Sequence, residues 1–177
     1  MAIFITEDGT GLPDANAYIT TSYFTNYHRS RGNEIETLNG VLLGSSEYRT
    51  AIVRATDYID SRFRGGFVGI VEKESQSLEW PRYNAYYRDG RSVLGVPKEV
   101  QRACALYALR ALSSALAPDP TYEDTNGKLA SKSVTVGPIS ESVEYYAEGG
   151  ITTFRKYPEA DALWVELLVQ GNRILRV

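Results

Sequence analysis

His28 is the only histidine in the chain and Cys104 the only cysteine, and these two counts limit what the side chains could do chemically. One histidine leaves no His-based metal cluster and no Ser-His-Asp relay with a second histidine to spare, and no serine motif marks a nucleophile for it. Cys104 falls on an apolar helix face, where a small buried thiol is the expected state, and a lone cysteine builds no disulfide framework. Asp57 and Asp60 are spaced i, i+3, which could bring two carboxylates to one ion. Without a third ligand nearby they read instead as a solvated face pairing with Arg54, Arg62 or Arg64. Gly65-Gly66 and Gly149-Gly150 lack both the Gly-Lys-Ser/Thr of a phosphate loop and the strand-turn-helix frame of a dinucleotide fingerprint. What remains is the stretch from Arg49 to Arg91, where seven arginines and Lys73 stand against Asp57, Asp60, Glu72, Glu74, Glu79 and Asp89, with Trp80, Tyr83, Tyr86 and Tyr87 interleaved. Arginine among aromatics suits single-stranded nucleic acid through phosphate contact and base stacking, and the small cationic excess makes that attraction weak. No catalytic residue, cofactor-binding residue or metal ligand is expected, and the chain reads as a non-enzyme.

Composition agrees with an ordinary globular chain. At 177 residues, 43% apolar and 23% charged, it can bury one core and reads as a single domain, 1–177. A formal net charge of −3 and a pI of about 5.3 give no overall basic field, so bulk DNA binding is disfavoured while a local patch stays open. The start lacks a basic n-region and long h-region, and no apolar run reaches the ~18 residues of a membrane span, so folding in a reducing cytoplasm with no membrane partner is expected. Thirteen tyrosines suggest protein interfaces or a tyrosine-rich surface.

Helices must position these groups. Gly95 to Ala117 predicts a central helix over about 97–117, with Pro97 at the first helical position, five alanines between Ala103 and Ala115 for close packing, and Pro118 as a stop. Val100, Cys104, Ala105, Tyr107, Ala108, Leu109, Ala111, Leu112, Ala115 and Leu116 share its broad apolar arc. Thr20 or Thr21 caps a short helix over 21–31 that Gly32 ends. Residues 33–46 hold at most a turn of helix before Ser45 or Ser46 caps the next one, whose apolar stripe is Tyr48, Ile52, Ala55, Ile59 and Phe63 and whose end is Gly65-Gly66. Residues 67–94 form a long loop with one short strand near Ser77–Trp80, and Trp80 beside Pro81 serves as an anchor. A last helix runs from Pro158 to about 170 and buries Trp164. The expected fold is therefore mainly α: a small helical bundle around one central helix (core about 16–117 and 158–170), with a β-hairpin-like arm over about 118–157 and a tail over 171–177. Trp80, Pro97 and Trp164 are the structural anchors.

The arm and tail carry the interface expectation. Val134, Val136, Ile139, Val143 and Tyr145 keep one apolar side on a ribbon too small to be stable alone, and Arg173, Ile174, Leu175, Arg176 and Val177 mix basic and apolar groups suited to pairing with a partner's edge.

Five ordered blocks add a resemblance. Glu7-Asp-Gly-Thr-Gly-Leu-Pro-Asp-Ala-Asn-Ala-Tyr18, Arg54-Ala-Thr-Asp-Tyr-Ile-Asp60, Leu78-Glu-Trp-Pro-Arg82, Gly95-Val-Pro-Lys-Glu-Val100 leading to Tyr107-Ala-Leu-Arg-Ala-Leu112, and Lys132-Ser-Val-Thr-Val-Gly-Pro-Ile139 together resemble a tailed-phage family. It is often labelled DnaT-like single-stranded-DNA-binding protein, and the chain looks like the head-to-tail adaptor of siphophage-type necks. The adaptor resemblance implies a virion protein of the bacteriophage neck, assembled in the host cytoplasm. It implies a homo-oligomeric ring, taken as a dodecamer, that binds the portal, docks a stopper or tail terminator and passes genomic double-stranded DNA through its channel. The DnaT-like label implies instead a single-stranded-DNA-binding, primosome-like accessory protein. The acidic balance favours the adaptor.

Overall fold

The computed structural model describes residues 3–33, 35, 37–38, 41–118, 131–136, 139–144 and 156–169. Among them the chain is mainly helical. Its contacts divide it into two units, Met1–Leu116 with Lys156–Val177, and Ala117–Arg155.

In the first unit, α1 spans Thr21–Arg29. Thr20 caps it, its hydroxyl accepting from the Tyr23 N–H at 3.0 Å, and Gly32, at φ +70°, turns the chain away. Thr37–Leu38 (β1) and Val41–Leu42 (β2) then pair antiparallel, in place of the expected helical turn. The intervening Asn39-Gly40 is a favoured two-residue hairpin sequence, and that signal outweighs the helical reading. Helix α2 spans Ser45–Phe63. Its N-cap is Gly44 and not a serine: the Glu47 carboxylate reaches back to the Gly44 N–H at 2.9 Å, half of a capping box. A 3₁₀ turn over Arg64–Gly66 ends it.

Helix α3 spans Lys98–Ser113 and packs on α2 more extensively than any other pair of described elements does. Its buried residues are mostly small, among them Ala103, Cys104, Ala105, Ala108 and Ala111, and the Cys104 thiol meets the Thr56 hydroxyl and the Ile52 carbonyl of α2. Two expectations are corrected here. Pro97 is the N-cap, extended at ψ 152°, and not the first helical residue. The helix also stops at Ser113, where the side-chain hydroxyl donates to the Arg110 carbonyl at 3.0 Å and so competes with the helical ladder. Ala115, placed on the apolar arc by periodicity, is exposed, while Leu116 remains buried.

The expected helix over 158–170 is shorter still. It comprises α4, Pro158–Asp161, and a 3₁₀ turn over Ala162–Trp164. The reason is a competing use of the backbone: the Val68 N–H donates to the Leu167 carbonyl at 2.9 Å and the Val169 N–H to the Gly66 carbonyl at 2.7 Å. Residues 167–169 thus run as an extended partner of 66–68 and cannot also be helical. Trp164 is 1% exposed, its indole N–H donating to the Tyr107 hydroxyl at 3.0 Å. The Asp161 carboxylate ties α2, α3 and α4 together by accepting from both Nη atoms of Arg62 and from the Tyr107 hydroxyl.

Within 67–94 the paired segments are Ile70–Val71 (β3) and Arg82–Tyr83 (β4), not 77–80. In the second unit, Ser131–Val136 (β5) and Ile139–Glu144 (β6) form the expected antiparallel hairpin, with Val136 opposite Ile139. Val134, Val136, Ile139 and Val143 lie on its backbone ladder. Tyr145, Arg173, Ile174, Leu175, Arg176 and Val177 lie outside the described residues.

Candidate nucleic-acid interface

Three of the five sequence blocks converge on one buried carboxylate. Asp60, 9% exposed, accepts from the Tyr18 hydroxyl and, through Oδ2, from the Glu79 N–H at 3.1 Å. The Tyr18 oxygen in turn accepts from the Trp80 N–H at 3.3 Å, and the Tyr18 N–H meets the Thr56 hydroxyl at 3.3 Å. With their main-chain donors committed to side chains, residues 79–80 cannot join a sheet, which is why no strand forms there. Burial pushes the Asp60 carboxyl up to about 7. The expected solvated Asp57/Asp60 face is therefore half right: Asp57 is exposed, but Asp60 is a core acceptor. Among the described residues no three His, Cys, Asp or Glu side chains are grouped to hold a metal ion.

Arg82 and the first block complete this frame. Arg82 is 8% exposed and donates to the carbonyls of Val68, Gly69 and Glu79 and to the Glu79 carboxylate, the last at 2.8 Å. Its guanidinium is committed and cannot meet a phosphate. At the N-terminal loop the buried Glu7 carboxylate accepts from the N–H groups of Gly9, Gly11 and Leu12 at 3.0, 2.8 and 2.9 Å. That wrap holds Gly9 at φ +94°, and a Cβ there would come within 3.3 Å of the Gly95 Cα, so the first and fourth blocks abut through two glycines.

On this frame sits an open cleft of about 370 Å³, lined by Gly9, Glu72, residues 82–86 and residues 92–95. Tyr83 is 46%, Tyr86 52% and Leu94 83% exposed on it. Asn84, between the tyrosines, is the only non-glycine residue with positive φ among those described, at +53°. Gly69 makes room for it: a Cβ on Gly69 would stand 2.6 Å from the Tyr83 carbonyl oxygen and 2.8 Å from the Ala85 nitrogen. Beyond the cleft the chain doubles back. A Tyr86–Ser92 bridge and the Tyr87 N–H to Arg91 carbonyl bond close a turn that displays exposed Arg88 and Arg91. Arg91 pairs with Asp89 at 2.6 Å at the surface, and Arg88 donates to the Val165 carbonyl at 3.1 Å.

The structure thus sorts the arginine–aromatic stretch. Trp80 is fully buried, and Tyr87 donates to Glu99 at 2.8 Å, burial and that bond pushing its hydroxyl up to about 12. Arg62 is held by Asp161 and Arg64 by Glu79. Tyr83, Tyr86, Arg88 and Arg91 are the exposed members beside the cleft, while Arg54, Arg64 and Lys73 are exposed elsewhere. Sequence reasoning missed Asn84, Gly69 and Leu94, whose roles come from backbone conformation and from a turn that brings 92–95 against 82–86. No local pattern encodes either.

Residues 1–177 match the family described as "Putative DnaT-like ssDNA binding protein", and the chain belongs to that family. No curated protein and no solved structure matches it. The family match corrects the head-to-tail adaptor reading: the family matched is the DnaT-like one and not a phage adaptor, so the virion neck, the connector ring and the portal, stopper and tail partners lose their support. No described helix is long and apolar enough to cross a membrane.

Proposed function

We propose that this protein binds single-stranded DNA as a non-catalytic accessory factor, through the cleft bearing Tyr83 and Tyr86. The observation that carries the reading is the pair of half-exposed tyrosines, Tyr83 and Tyr86, beside one cleft, with the exposed Arg88 and Arg91 on the adjoining turn. Unstacked bases can lie on such rings, each stack contributing about 1–3 kcal/mol with little sequence preference. A duplex hides its base faces and gains nothing from them. Membership of a family described as single-strand-binding supports the same reading. Glu72 on the cleft wall and Asp89 beside Arg91 keep the local field modest, so stacking carries more of the affinity than phosphate attraction there.

The test is fluorescence anisotropy of a labelled oligothymidylate against a duplex of equal length. Preferential binding of the single strand, weakened at least tenfold in the Tyr83→Ala/Tyr86→Ala variant, is expected from the stacking energies. Equal affinity for both DNAs, or an unchanged double variant, contradicts the proposal.

A further inference from the structure

We infer that the face shared by α1 and α3 is a second contact for the same strand, gripping its phosphates where the cleft takes its bases. This rests on the single-stranded-DNA reading above. Tyr23 and Tyr27 of α1 and Arg31, just past its end, follow one another at four-residue spacing, so they stack along one side. The Tyr23 and Tyr27 rings are 6.1 Å apart between centroids and 17° from parallel, and the Arg31 guanidinium carbon sits 3.5 Å over the Tyr27 ring. Arg31 Nη1 is anchored on the Tyr27 carbonyl at 2.8 Å, which fixes the guanidinium plane at the top of the stack. Both rings are half-buried and Arg31 is exposed. The result is a preformed ladder of two aromatic planes and one cation, the arrangement that bases and phosphates of an unpaired strand can use together.

Helix α3 brings further cations to the same place. The two helices are locked in register by His28, fully buried, whose Nε2 lies 3.0 Å from the Ala105 carbonyl and whose Nδ1 lies 3.0 Å from the Asn33 amide nitrogen. On either side of Ala105 along α3, Arg102 and Arg110 are exposed. Arg31 is held at the end of α1 on the Tyr27 carbonyl, and Arg102 and Arg110 flank Ala105, whose carbonyl His28 meets, so cations from both sides lie around the one His28 contact, and their charges are felt at Tyr23 and His28. Among the described residues few acids are near it. The sequence has none between Asp14 and Glu34. The one acid of α3, Glu99, is mostly buried and occupied by the Tyr87 hydroxyl, which leaves Glu159 of α4 as the carboxylate that reaches His28. The described residues of this face are therefore cationic and aromatic within a chain of net charge −3, and an anionic polymer with exposed bases is the occupant whose charge and shape complement them.

The experiment is a salt series of oligothymidylate affinities for the full-length protein and three variants, with circular dichroism to verify folding. Arg102→Gln/Arg110→Gln changes exposed residues to good helix formers. It is expected to flatten the slope of log affinity against log salt by about 1.4, about 0.7 for each phosphate no longer neutralised. Tyr83→Ala/Tyr86→Ala is expected to weaken binding with the slope unchanged. Arg54→Gln, an exposed arginine of α2, is expected to leave both unchanged. If the α3 pair leaves the slope intact, or Arg54→Gln flattens it equally, the second contact is overturned while single-strand binding stands. Absence of binding by the unaltered protein overturns both.

Discussion

Asp60 shows how a residue can look like surface in the sequence and be core in the fold. An aspartate three residues after another on an arginine-rich helix ordinarily pairs in solvent. Here Tyr18 and Glu79 arrive from distant segments and enclose it. Its titration follows from that enclosure. The folded carboxyl titrates at about 7 against 3.8 for an unperturbed one, so between these values the native state holds a proton that the unfolded state has released. The stabilisation is fully present below the unfolded value and is lost as pH rises through about 7. Asp60→Asn removes this titration. Relative to the variant, the unaltered protein should lose stability as pH rises from 5 to 7, on the order of 1 kcal/mol per pH unit at most. Urea midpoints at pH 5, 6, 7 and 8 measure it, and parallel curves for the two proteins contradict the enclosure. Cys104 was legible from its helix face alone: it is fully buried, and burial pushes its thiol up to about 12, out of reach of thiolate chemistry at neutral pH.

Among the elements, α2 and α3 were legible because long apolar periodicities and small-residue faces leave few alternatives. Shorter elements followed tertiary demands that no local window contains. Residues 167–169 abandon the helix to pair with 66–68, and residues 79–80 give up a strand to bond Asp60 and Tyr18. The cleft was half visible for the same reason: the tyrosines and arginines could be counted, but which of them face solvent depends on Arg82 and Trp80 being drawn inward. Close packing of α3 predicts a position-specific cost. Ala108 is fully buried and Ala115 exposed beyond the helix end. Ala108→Leu should destabilise by about 1–3 kcal/mol through overpacking and lower the melting temperature by several degrees, while Ala115→Leu should change it little. Equal effects of the two substitutions would place the packed face wrongly.

For the whole molecule, net charge says little about local faces, and the proposed contacts rest on segregation. The Tyr23–Tyr27–Arg31 ladder with Arg102 and Arg110 is cationic within an acidic chain, while the cleft of Tyr83 and Tyr86 is nearly balanced. The family match overturns the adaptor reading drawn from the five blocks, and the first three blocks serve the frame: Glu7, Tyr18, Asp60, Glu79 and Arg82 hold backbone in place. The most direct measurement is ultraviolet cross-linking of an iododeoxyuridine-substituted single strand to the full-length protein, followed by peptide mapping. Cross-links should concentrate on peptides containing Tyr83 and Tyr86, with a second set at Tyr23 and Tyr27, and an unlabelled single strand should compete them away while duplex does not. No cross-linking at micromolar protein, or adducts confined to peptides away from these four tyrosines, would contradict the assignment.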